Sequence, residues 1–333
     1  MTSVLRVAFA GTFPASLEPR VRAHLGVPCD IVLADEAGVV AGLGDIDVLI
    51  TLVFTREMGA AARRLRLVQV PGAGLDRIDR AALPPGAWLA NAYGHEVGIA
   101  EYVMGVMLAW TRDLARLDAA LHQGRWLSQW AVGTPAPPAW PELAGKTLGI
   151  VGYGRIGRCL AQRARAFEMT VLATRRDLSN PDGLVELHGP DRLHHVLGRA
   201  DYVAITASLG TETRGLIGEQ ELAAMKRSAV LINVARAEIV NEEALYHALA
   251  AGTIAGAVLD VWYRYPTAAG TTFPATRPFH ELPNVLMTPH VSGWTEGMLE
   301  ARARLIADNV ARAAHGEPPA NLIAGGATAP APS

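Results

Sequence analysis

Residues 147–167, TLGIVGYGRIGRCLAQRARAF, decide the fold of this chain. An apolar, β-branched run is followed by Gly152, Gly154 and Gly157 in the spacing G-x-G-x-x-G, and then by apolar residues at helical intervals. This order predicts a strand, a tight turn and a helix. We expect the first glycine to permit the turn, the second to let backbone approach a bound group, and the third to let helix and strand pack closely.

The predicted turn directs the N-terminus of its helix toward a bound group. Backbone N–H groups and the helix dipole at such an end attract a pyrophosphate, as in dinucleotide-binding folds. The glycine pattern alone is a weak signal, but its place between a strand and a helix strengthens it. The residues predicted to hold the cofactor at this turn are Gly152, Gly154, Arg155, Ile156 and Gly157.

The next predicted strand indicates which dinucleotide is bound. The stretch MTVLATRRD ends in Arg175 and Arg176, about 20 residues beyond the glycines, where an Asp or Glu normally bonds the adenosine ribose. A guanidinium cannot accept hydrogen bonds from the ribose, but it pairs bidentately with a 2′-phosphate. NADP is therefore favoured over NAD. In the alternative interpretation both arginines are solvated and Asp177 bonds the ribose.

Short apolar runs alternate with helical stretches along the whole chain, which is typical of parallel α/β sheets. The predicted strands are LRVAFAG, DIVLAD, IDVLIT, RLVQVPG, WLANAY, KTLGIVG, MTVLATR, DYVAIT, AVLINVAR and AGAVLDV. A long helix is predicted to begin near residues 95–106, HEVGIAEYVMGV, and a last helix covers residues 296–315. With 333 residues, 50% of them hydrophobic, the chain is long enough for two cores.

Charge and cysteine content exclude several classes of protein. A net charge of −2 without a long basic run offers nothing to nucleic acid or to an acidic membrane, so a small molecule is the expected partner. Cys29 and Cys159 provide neither a disulfide framework nor a thiolate metal site. The apolar runs are too short for a signal peptide or a membrane span, so a soluble, cytoplasmic protein is expected. No metal site is predicted, because the histidines of residues 188–195, HGPDRLHH, lack companion ligands in the sequence.

Four motifs, the glycine-rich turn among them, occur in a particular order and spacing. They are GYGRIG, INVARAEIVNEEAL, AGAVLDV and LMTPHVSGWT, preceded by VPGAGLDRID and VGIAEYVMGVML. In this arrangement the chain resembles the D-isomer-specific 2-hydroxyacid dehydrogenases over nearly its whole length. The resemblance implies two doubly wound parallel-sheet domains of the α/β class, with a Rossmann cofactor domain inserted into a flavodoxin-like substrate domain.

The resemblance also implies domain bounds and an assembly. Residues 1–97 and 293–323 would form the substrate domain, which closes as a lid, and residues 98–292 the cofactor domain. Residues 324–333, small and rich in proline, are expected to be disordered. A homodimer is implied, built through the cofactor domains with the helix that begins near Ile99 at the interface.

The family's motifs assign roles to individual residues. Arg236 would hold the substrate carboxylate and polarise its carbonyl, and His290 would be the acid and base of the reaction. Asp260 would bond the nicotinamide carboxamide, with Val234 and Ala235 also placed at the cofactor. Backbone N–H groups of Ala73 and Gly74 would bind the substrate carboxylate.

The stretch DVWYRYP, residues 260–266, departs from the family pattern. Tyr265 stands where the family carries the glutamate that pairs with its histidine, and formate dehydrogenases of the family carry a glutamine there. A carboxylate raises the pKa of a bonded imidazole, whereas a tyrosine only orients it. We therefore expect reduction, which needs the imidazolium, to favour more acidic pH. His95 or Glu96 could reach the cleft in place of the glutamate, or both could lie on an exposed loop.

Three functions are compatible with these residues. The first is an NADP-preferring reductase of small 2-oxo acids, equally a D-2-hydroxy acid dehydrogenase. The second is oxidation of a phosphorus acid such as phosphite, although the family members that do this carry a lysine where Ala73 stands. The third is a cofactor-sensing binding protein like the family's transcriptional corepressors, against which the retention of Arg236 and His290 argues.

Overall fold

The structure, a computed structural model, describes residues 4–133, 135–179, 181–267 and 269–325. The chain divides into two compact units, Met1–His95 with Trp294–Ser333 (unit 1) and Glu96–Gly293 (unit 2). Elements are numbered in chain order, β1 to β13 and α1 to α10, within the described residues. No helix in these ranges combines the length and apolar character that crossing a membrane requires.

Unit 1 is a doubly wound sheet with helices on both faces. Its strands are β1 (Leu5–Ala10), β2 (Cys29–Ala34), β3 (Val48–Thr51), β4 (Leu67–Gln69), β5 (Trp88–Ala90) and β13 (Leu322–Ala324), and its α-helices are α1 (Thr12–His24), α2 (Val39–Gly42), α3 (Arg56–Ala61) and α10 (Glu296–His315). The strand order is β13-β5-β4-β3-β1-β2, and only β13 is antiparallel to its neighbour among these described strands. From β2 to β5 this is the flavodoxin-like order.

Alternation along β1 explains the two helical layers of unit 1. Leu5, Val7 and Phe9 are buried in one cluster with residues of α1 and α10. Ala8 and Ala10, which point to the opposite face, belong to a second cluster that includes residues of α2 and α3. Because successive side chains of a strand face opposite sides, a strand that is apolar at nearly every position must be covered on both faces.

Unit 2 has the Rossmann topology. Its strands are β6 (Thr147–Val151), β7 (Thr170–Thr174), β8 (Glu186–His188), β9 (Tyr202–Ile205), β10 (Val230–Asn233), β11 (Gly256–Leu259) and β12 (Val285–Met287), and its α-helices are α4 (Glu96–Thr111), α5 (Leu114–Leu121), α6 (Arg155–Ala166), α7 (Leu193–Arg199), α8 (Glu219–Ala224) and α9 (Glu242–Ala250). The order is β12-β11-β10-β9-β6-β7-β8, with every pair of these described strands parallel. The order reverses between β6 and β9, which is where ligands bind in open α/β sheets.

The predicted fold class, two doubly wound parallel sheets, is confirmed. All ten predicted strand segments contain strands, and the last helix occupies residues 296–315 as expected. Three strands were missed, β8, β12 and β13, each of three residues. Strand β13 includes Ala324, the first residue of the segment that was expected to be disordered, so that expectation is wrong for this residue. Residues 326–333 of the same segment lie outside the described residues.

Candidate active site

The glycine-rich turn follows β6 and leads into α6. Gly152 has a φ of 97°, and a Cβ there would lie 2.4 Å from the Cα of Ala207. A Cβ on Gly157 would meet Ile150 and Tyr153 at 3.2 Å, so this glycine allows the helix to pack on the strand. At Gly154 a Cβ would meet nothing within 4 Å. Open space thus lies beside the backbone at the N-cap of α6, the place where a pyrophosphate fits.

Strand β7 ends beside three charged residues, Arg175, Arg176 and Asp177. The Arg175 side chain donates a hydrogen bond to the carbonyl of Asp177. Arg176 forms an ion pair with Glu212 at 2.9 Å, and both side chains are largely exposed. The carboxylate of Asp177 accepts hydrogen bonds from the backbone and hydroxyl of Ser179, which lower the pKa of this carboxyl. Two guanidinium groups and an already bonded carboxylate therefore occupy this strand end.

Asp260, at the end of β11, is fully buried and organises the turn that carries His290. One carboxylate oxygen accepts the Thr288 hydroxyl at 2.6 Å and the backbone N–H of Val291 at 2.8 Å. The other oxygen accepts the backbone N–H of Ser292 at 2.8 Å. His290 has a φ of 59°, a conformation that costs an ordinary residue about 1–2 kcal/mol. The buried carboxylate holds this backbone in place.

Two hydroxyl groups extend the Asp260 network, and the sequence had not singled them out. Because the Thr288 hydroxyl donates to a carboxylate, the hydroxyl of Tyr102 must be the donor in its 2.6 Å bond to the Thr288 oxygen. Burial raises the pKa of Tyr102 to about 12, which keeps this donor protonated. Thr288 lies two residues before His290 in the motif LMTPHVSGWT, and Tyr102 lies in the motif VGIAEYVMGVML, but neither motif indicated a role for these two residues.

The side chains of His290 and Tyr265 are hydrogen-bonded. The phenolic oxygen lies 2.7 Å from Nδ1 of the imidazole and also accepts a weaker bond, 3.4 Å, from the backbone N–H of Trp262. A hydroxyl both donates and accepts, so Tyr265 bonds Nδ1 whether or not that nitrogen carries a proton. A carboxylate, in contrast, bonds only the protonated nitrogen.

The surroundings of His290 disfavour its charged form. Part of the side chain is exposed, but the neighbouring protein removes water from the ring and lowers its pKa below the ordinary value. The charge of Asp260 opposes this shift, and the charge of Arg236 adds to it. Burial raises the pKa of Tyr265, which therefore remains a neutral phenol over the range in which the imidazole titrates.

Arg236 follows β10 and is half-buried. Its guanidinium donates to the carbonyl of Ala235 at 2.8 Å. The side chain of Asn233 donates to the Arg236 carbonyl and accepts the backbone N–H of Ala235, which fixes the course of the chain. The cation thus lies at the carboxyl end of its strand, and its charge contributes to lowering the pKa of His290.

The other aromatic residues of the stretch DVWYRYP belong to the core of unit 2. Trp262 is buried and its indole N–H donates to the carbonyl of Thr288 at 2.8 Å. Tyr263, at the second position where the family carries an acid, stacks on Phe279 and donates to the carbonyl of Val240. Of the three aromatic residues in this stretch, Tyr265 alone bonds His290 among the described contacts.

Three of the predicted substrate-binding residues, Ala73, Gly74 and His95, belong to unit 1, and the fourth, Glu96, begins unit 2. The Ala73 carbonyl accepts a hydrogen bond from Asn91, and Ala73 and Gly74 are half-buried in a turn that follows β4. His95 accepts a bond from the guanidinium of Arg302 at 3.0 Å. Glu96 is the first residue of α4 and belongs to unit 2. His95 is thus bound to the last helix of its own unit rather than lying free on a loop.

Comparison with known proteins places this arrangement in one family. The family described as "D-isomer specific 2-hydroxyacid dehydrogenase, NAD binding domain" matches residues 104–292. The glyoxylate reductase of Thermococcus kodakarensis is 35% identical over 288 residues, which are 84% of this chain and 83% of that protein. The D-3-phosphoglycerate dehydrogenase of Methanocaldococcus jannaschii is 33% identical over 84% of this chain, which spans about half (52%) of that protein.

Solved structures agree with the sequence comparison. A 2-hydroxyacid dehydrogenase of Ketogulonicigenium vulgare superimposes with a TM-score of 0.81 at 25% identity, covering 98% of this chain and 100% of that one. The NADPH-dependent glyoxylate/hydroxypyruvate reductase of Sinorhizobium meliloti, solved with NADP and malonate, gives a TM-score of 0.79 at 27% identity, covering 97% of each chain. This chain therefore belongs to the D-isomer specific 2-hydroxyacid dehydrogenase family and is an NAD(P)-dependent dehydrogenase.

Proposed function

We propose that the protein reduces small 2-oxo acids with a preference for NADPH, and that in reverse it oxidises D-2-hydroxy acids. The observation that carries this proposal is the hydrogen bond between His290 and Tyr265, together with the Arg236 cation at the carboxyl end of β10. Reduction of a 2-oxo acid requires a cation for the carboxylate and carbonyl, and a group that gives a proton to the developing alkoxide. Arg236 and His290 have the chemistry for these two tasks.

The proposed mechanism assigns one task to each side chain. The glycine-rich turn would hold NADPH, which supplies the hydride when bound. Arg236 binds the substrate carboxylate and stabilises the charge that develops on the carbonyl oxygen. The imidazolium of His290 donates its Nε2 proton to that oxygen, while Nδ1–H donates to Tyr265, whose bond keeps the ring in orientation. Asp260 contributes by holding the His290 turn, and by resemblance it also bonds the nicotinamide carboxamide.

Because Tyr265 stands in place of a carboxylate, the His290 imidazolium should differ in acid strength from the corresponding imidazolium of related enzymes. A neutral phenol does not stabilise the imidazolium as a carboxylate would, and burial already lowers the pKa of His290. The resulting imidazolium is a stronger acid but is present only at lower pH. Reduction, which needs the charged ring, should therefore weaken as pH rises through this lowered pKa, and oxidation, which needs the neutral ring, should persist to lower pH.

The preference for NADPH rests on the end of β7. Arg175 and Arg176 offer two guanidinium groups where a ribose-binding carboxylate would stand, and Asp177 is engaged with Ser179. An exposed ion pair such as Arg176–Glu212 contributes little, so a phosphate can displace it. The Sinorhizobium meliloti reductase, which is NADPH-dependent and was solved with NADP, gives a precedent within the family.

The roles of unit 1 and of the assembly also belong to the proposal. Ala73 and Gly74 would offer backbone N–H groups to the substrate carboxylate, and unit 1 would act as the lid. We further propose a homodimer through unit 2, where several large apolar side chains are exposed. They are Leu114, Leu121, Trp126, Trp130 and Val132. Light scattering after size exclusion tests the dimer, and a monomer that turns over at full rate would contradict it.

The test is an activity assay with the wild-type protein and His290→Ala. NADPH and NADH are each mixed with glyoxylate, hydroxypyruvate, pyruvate and a bulky aromatic 2-oxo acid, and the loss of reduced cofactor is followed from pH 5 to 9. We expect turnover with NADPH that falls as pH rises, and a loss of at least ~100-fold in the variant, the usual contribution of an acid–base group.

Cofactor binding without turnover of any 2-oxo acid would contradict the proposal. Oxidation of phosphite by the same protein would then indicate phosphorus-acid chemistry. If no acid of either kind reacts, a cofactor-sensing role would explain the fold.

A further inference from the structure

A cluster of two histidines and a glutamate lies on unit 2, and the sequence had given these histidines no companion ligand. Strand β8 places Glu186 and His188 on the same side of the sheet, since residues two apart in a strand face one way. Helix α7 brings His195 to the same place. One ligand atom from each of the three residues lies within 4.8 Å of the other two.

The backbone that carries the cluster is well fixed. Strand β8 pairs with β7 along its length, and the carbonyl of His188 accepts the backbone N–H of Arg175 at 3.0 Å. A short 3₁₀ turn, Pro190–Arg192, leads directly from the strand into α7. Leu193, Val196 and Leu197 of that helix are buried, and Nε2 of His195 lies 3.8 Å from the carboxylate of Glu186 on the strand. Strand and helix therefore hold the three ligands without a long flexible connection.

The distances are close to those of a metal site. An oxygen of Glu186 lies 2.9 Å from Nε2 of His188 and 3.8 Å from Nε2 of His195. Two ligands of a tetrahedral zinc ion, each about 2.0–2.2 Å from the metal, stand about 3.4 Å apart. The two imidazole rings meet edge to face with centroids 5.2 Å apart. All three ligand atoms lie within 4.8 Å of one another, which is near enough for one ion to be shared after adjustment of the side chains.

A cation already occupies this cluster, and it comes from the protein. One nitrogen of Arg199 lies 2.7 Å from the Glu186 carboxylate and 3.1 Å from Nε2 of His195. A guanidinium only donates, so Nε2 of His195 must present its lone pair, which is the form that binds a metal. Arg199 is the last residue of α7 and its side chain is half-exposed, so it can leave the cluster when another cation enters.

We propose that Glu186, His188 and His195 form a binding site for Zn²⁺. Two imidazoles and one carboxylate are typical ligands of zinc, with solvent at the fourth position, whereas Mg²⁺ and Ca²⁺ prefer oxygen ligands alone. The ion takes the place of the Arg199 guanidinium and joins the edge strand β8 to α7. This site does not depend on the proposed reductase activity.

The test is zinc binding by the full-length protein without an affinity tag, after treatment with a chelator that is then removed by dialysis. Titration calorimetry with ZnCl₂ gives the affinity and stoichiometry, and the visible spectrum with Co²⁺ reports the coordination. We expect one equivalent of Zn²⁺ and no binding of Mg²⁺. His188→Gln and His195→Gln should each weaken binding at least ~10-fold, and Glu186→Gln should weaken it too.

The chain offers a matched control next to the site. His194 precedes His195 on α7 but pairs with Glu221, so His194→Gln should leave the zinc affinity within ~2-fold of wild type. Arg199→Gln should tighten binding, because it removes the competing cation. Unchanged NADPH binding in each variant would establish that unit 2 is folded. Absence of zinc binding, or equal loss in the His194 and His195 variants, would overturn the proposal.

Discussion

Tyr265, the partner of His290, and the arginines at the end of β7 both depart from the usual pattern, but the protein holds the two regions in different ways. At His290 the buried carboxylate of Asp260 accepts three hydrogen bonds that fix the backbone, and Tyr265 bonds the ring. At the end of β7 an exposed ion pair holds Arg176. Buried bonds fix the backbone of the His290 turn, whereas exposed charges at the end of β7 leave the proposed cofactor preference open to single substitutions.

The largest effect is expected from Asp260→Ala. The substitution leaves the Thr288 hydroxyl and the N–H groups of Val291 and Ser292 without their acceptor, and each unsatisfied buried donor costs about 1–3 kcal/mol. We expect a loss of about 3 kcal/mol or more in the free energy of unfolding and of at least ~100-fold in kcat/KM. Denaturant unfolding and steady-state kinetics measure these losses.

Asp177→Ala provides the control for Asp260→Ala, because this carboxylate is exposed and bonds only Ser179 among the described contacts of its side chain. Its Tm and kcat should stay near those of wild type. If Asp260→Ala is equally mild, the carboxylate does not hold the His290 turn.

Two glycines of the cofactor turn should respond differently to alanine. Gly152→Ala places a Cβ 2.4 Å from backbone at a positive φ and should lower the free energy of unfolding by at least ~2 kcal/mol. Gly154→Ala meets open space, so its Tm should be preserved while its affinity for NADPH falls. Thermal unfolding and fluorescence titration separate the two effects. Equal Tm losses would show that space beside Gly154 is not reserved for a ligand.

A smaller effect is expected at the adenosine end. Replacing Arg175 and Arg176 by serine removes two charge-assisted bonds, so the KM for NADPH should rise roughly 10- to 100-fold while that for NADH changes little. Arg165→Ser, at an exposed position of the last turn of α6, is the control for loss of positive charge. An equal rise for both cofactors would contradict a 2′-phosphate contact.

The smallest effect is expected from Glu212→Gln, which frees Arg176 from its ion pair. An exposed pair contributes at most about 1 kcal/mol, so the affinity for NADPH should improve by less than about fivefold. Titration of the variant with NADPH and with NADH measures the gain. A weaker affinity for NADPH would mean that Glu212 positions Arg176 instead of competing for it.

The sequence predicted the fold well because the strands that it marked have a strong pattern. Strands such as β10, VLIN, are apolar at almost every position and fully buried. The missed strands β8, β12 and β13 have three residues each, and a run this short shows no periodicity of its own. Strands β4 and β5 are equally short but were recognised within the longer predicted segments RLVQVPG and WLANAY. The place of the missed strands in the sheets is set by neighbouring strands, as the register of β8 on β7 illustrates.

The site could be predicted only where a motif marked it. The spacing from Asp260 pointed to Tyr265 as the partner of His290, and the two side chains are in contact. Spacing does not reveal that Asp260 would hold the His290 backbone, or that Tyr102 would reach Thr288 across 186 positions. For the same reason the sequence did not reveal that Glu186 lies beside His188 and His195, because only the folded strand and helix bring the three side chains together.

The central claim is that burial lowers the pKa of His290 and that Tyr265 does not offset this shift as a carboxylate would, and Tyr265→Glu tests it most directly. The measurement is kcat/KM for reduction as a function of pH, in wild type and in the variant. A carboxylate stabilises the imidazolium and raises its pKa, so the pH above which reduction declines should move to a more alkaline value in the variant. Tyr265→Phe, which lacks the hydroxyl, should not produce this alkaline shift. An unchanged profile in Tyr265→Glu, with activity retained, would contradict the account.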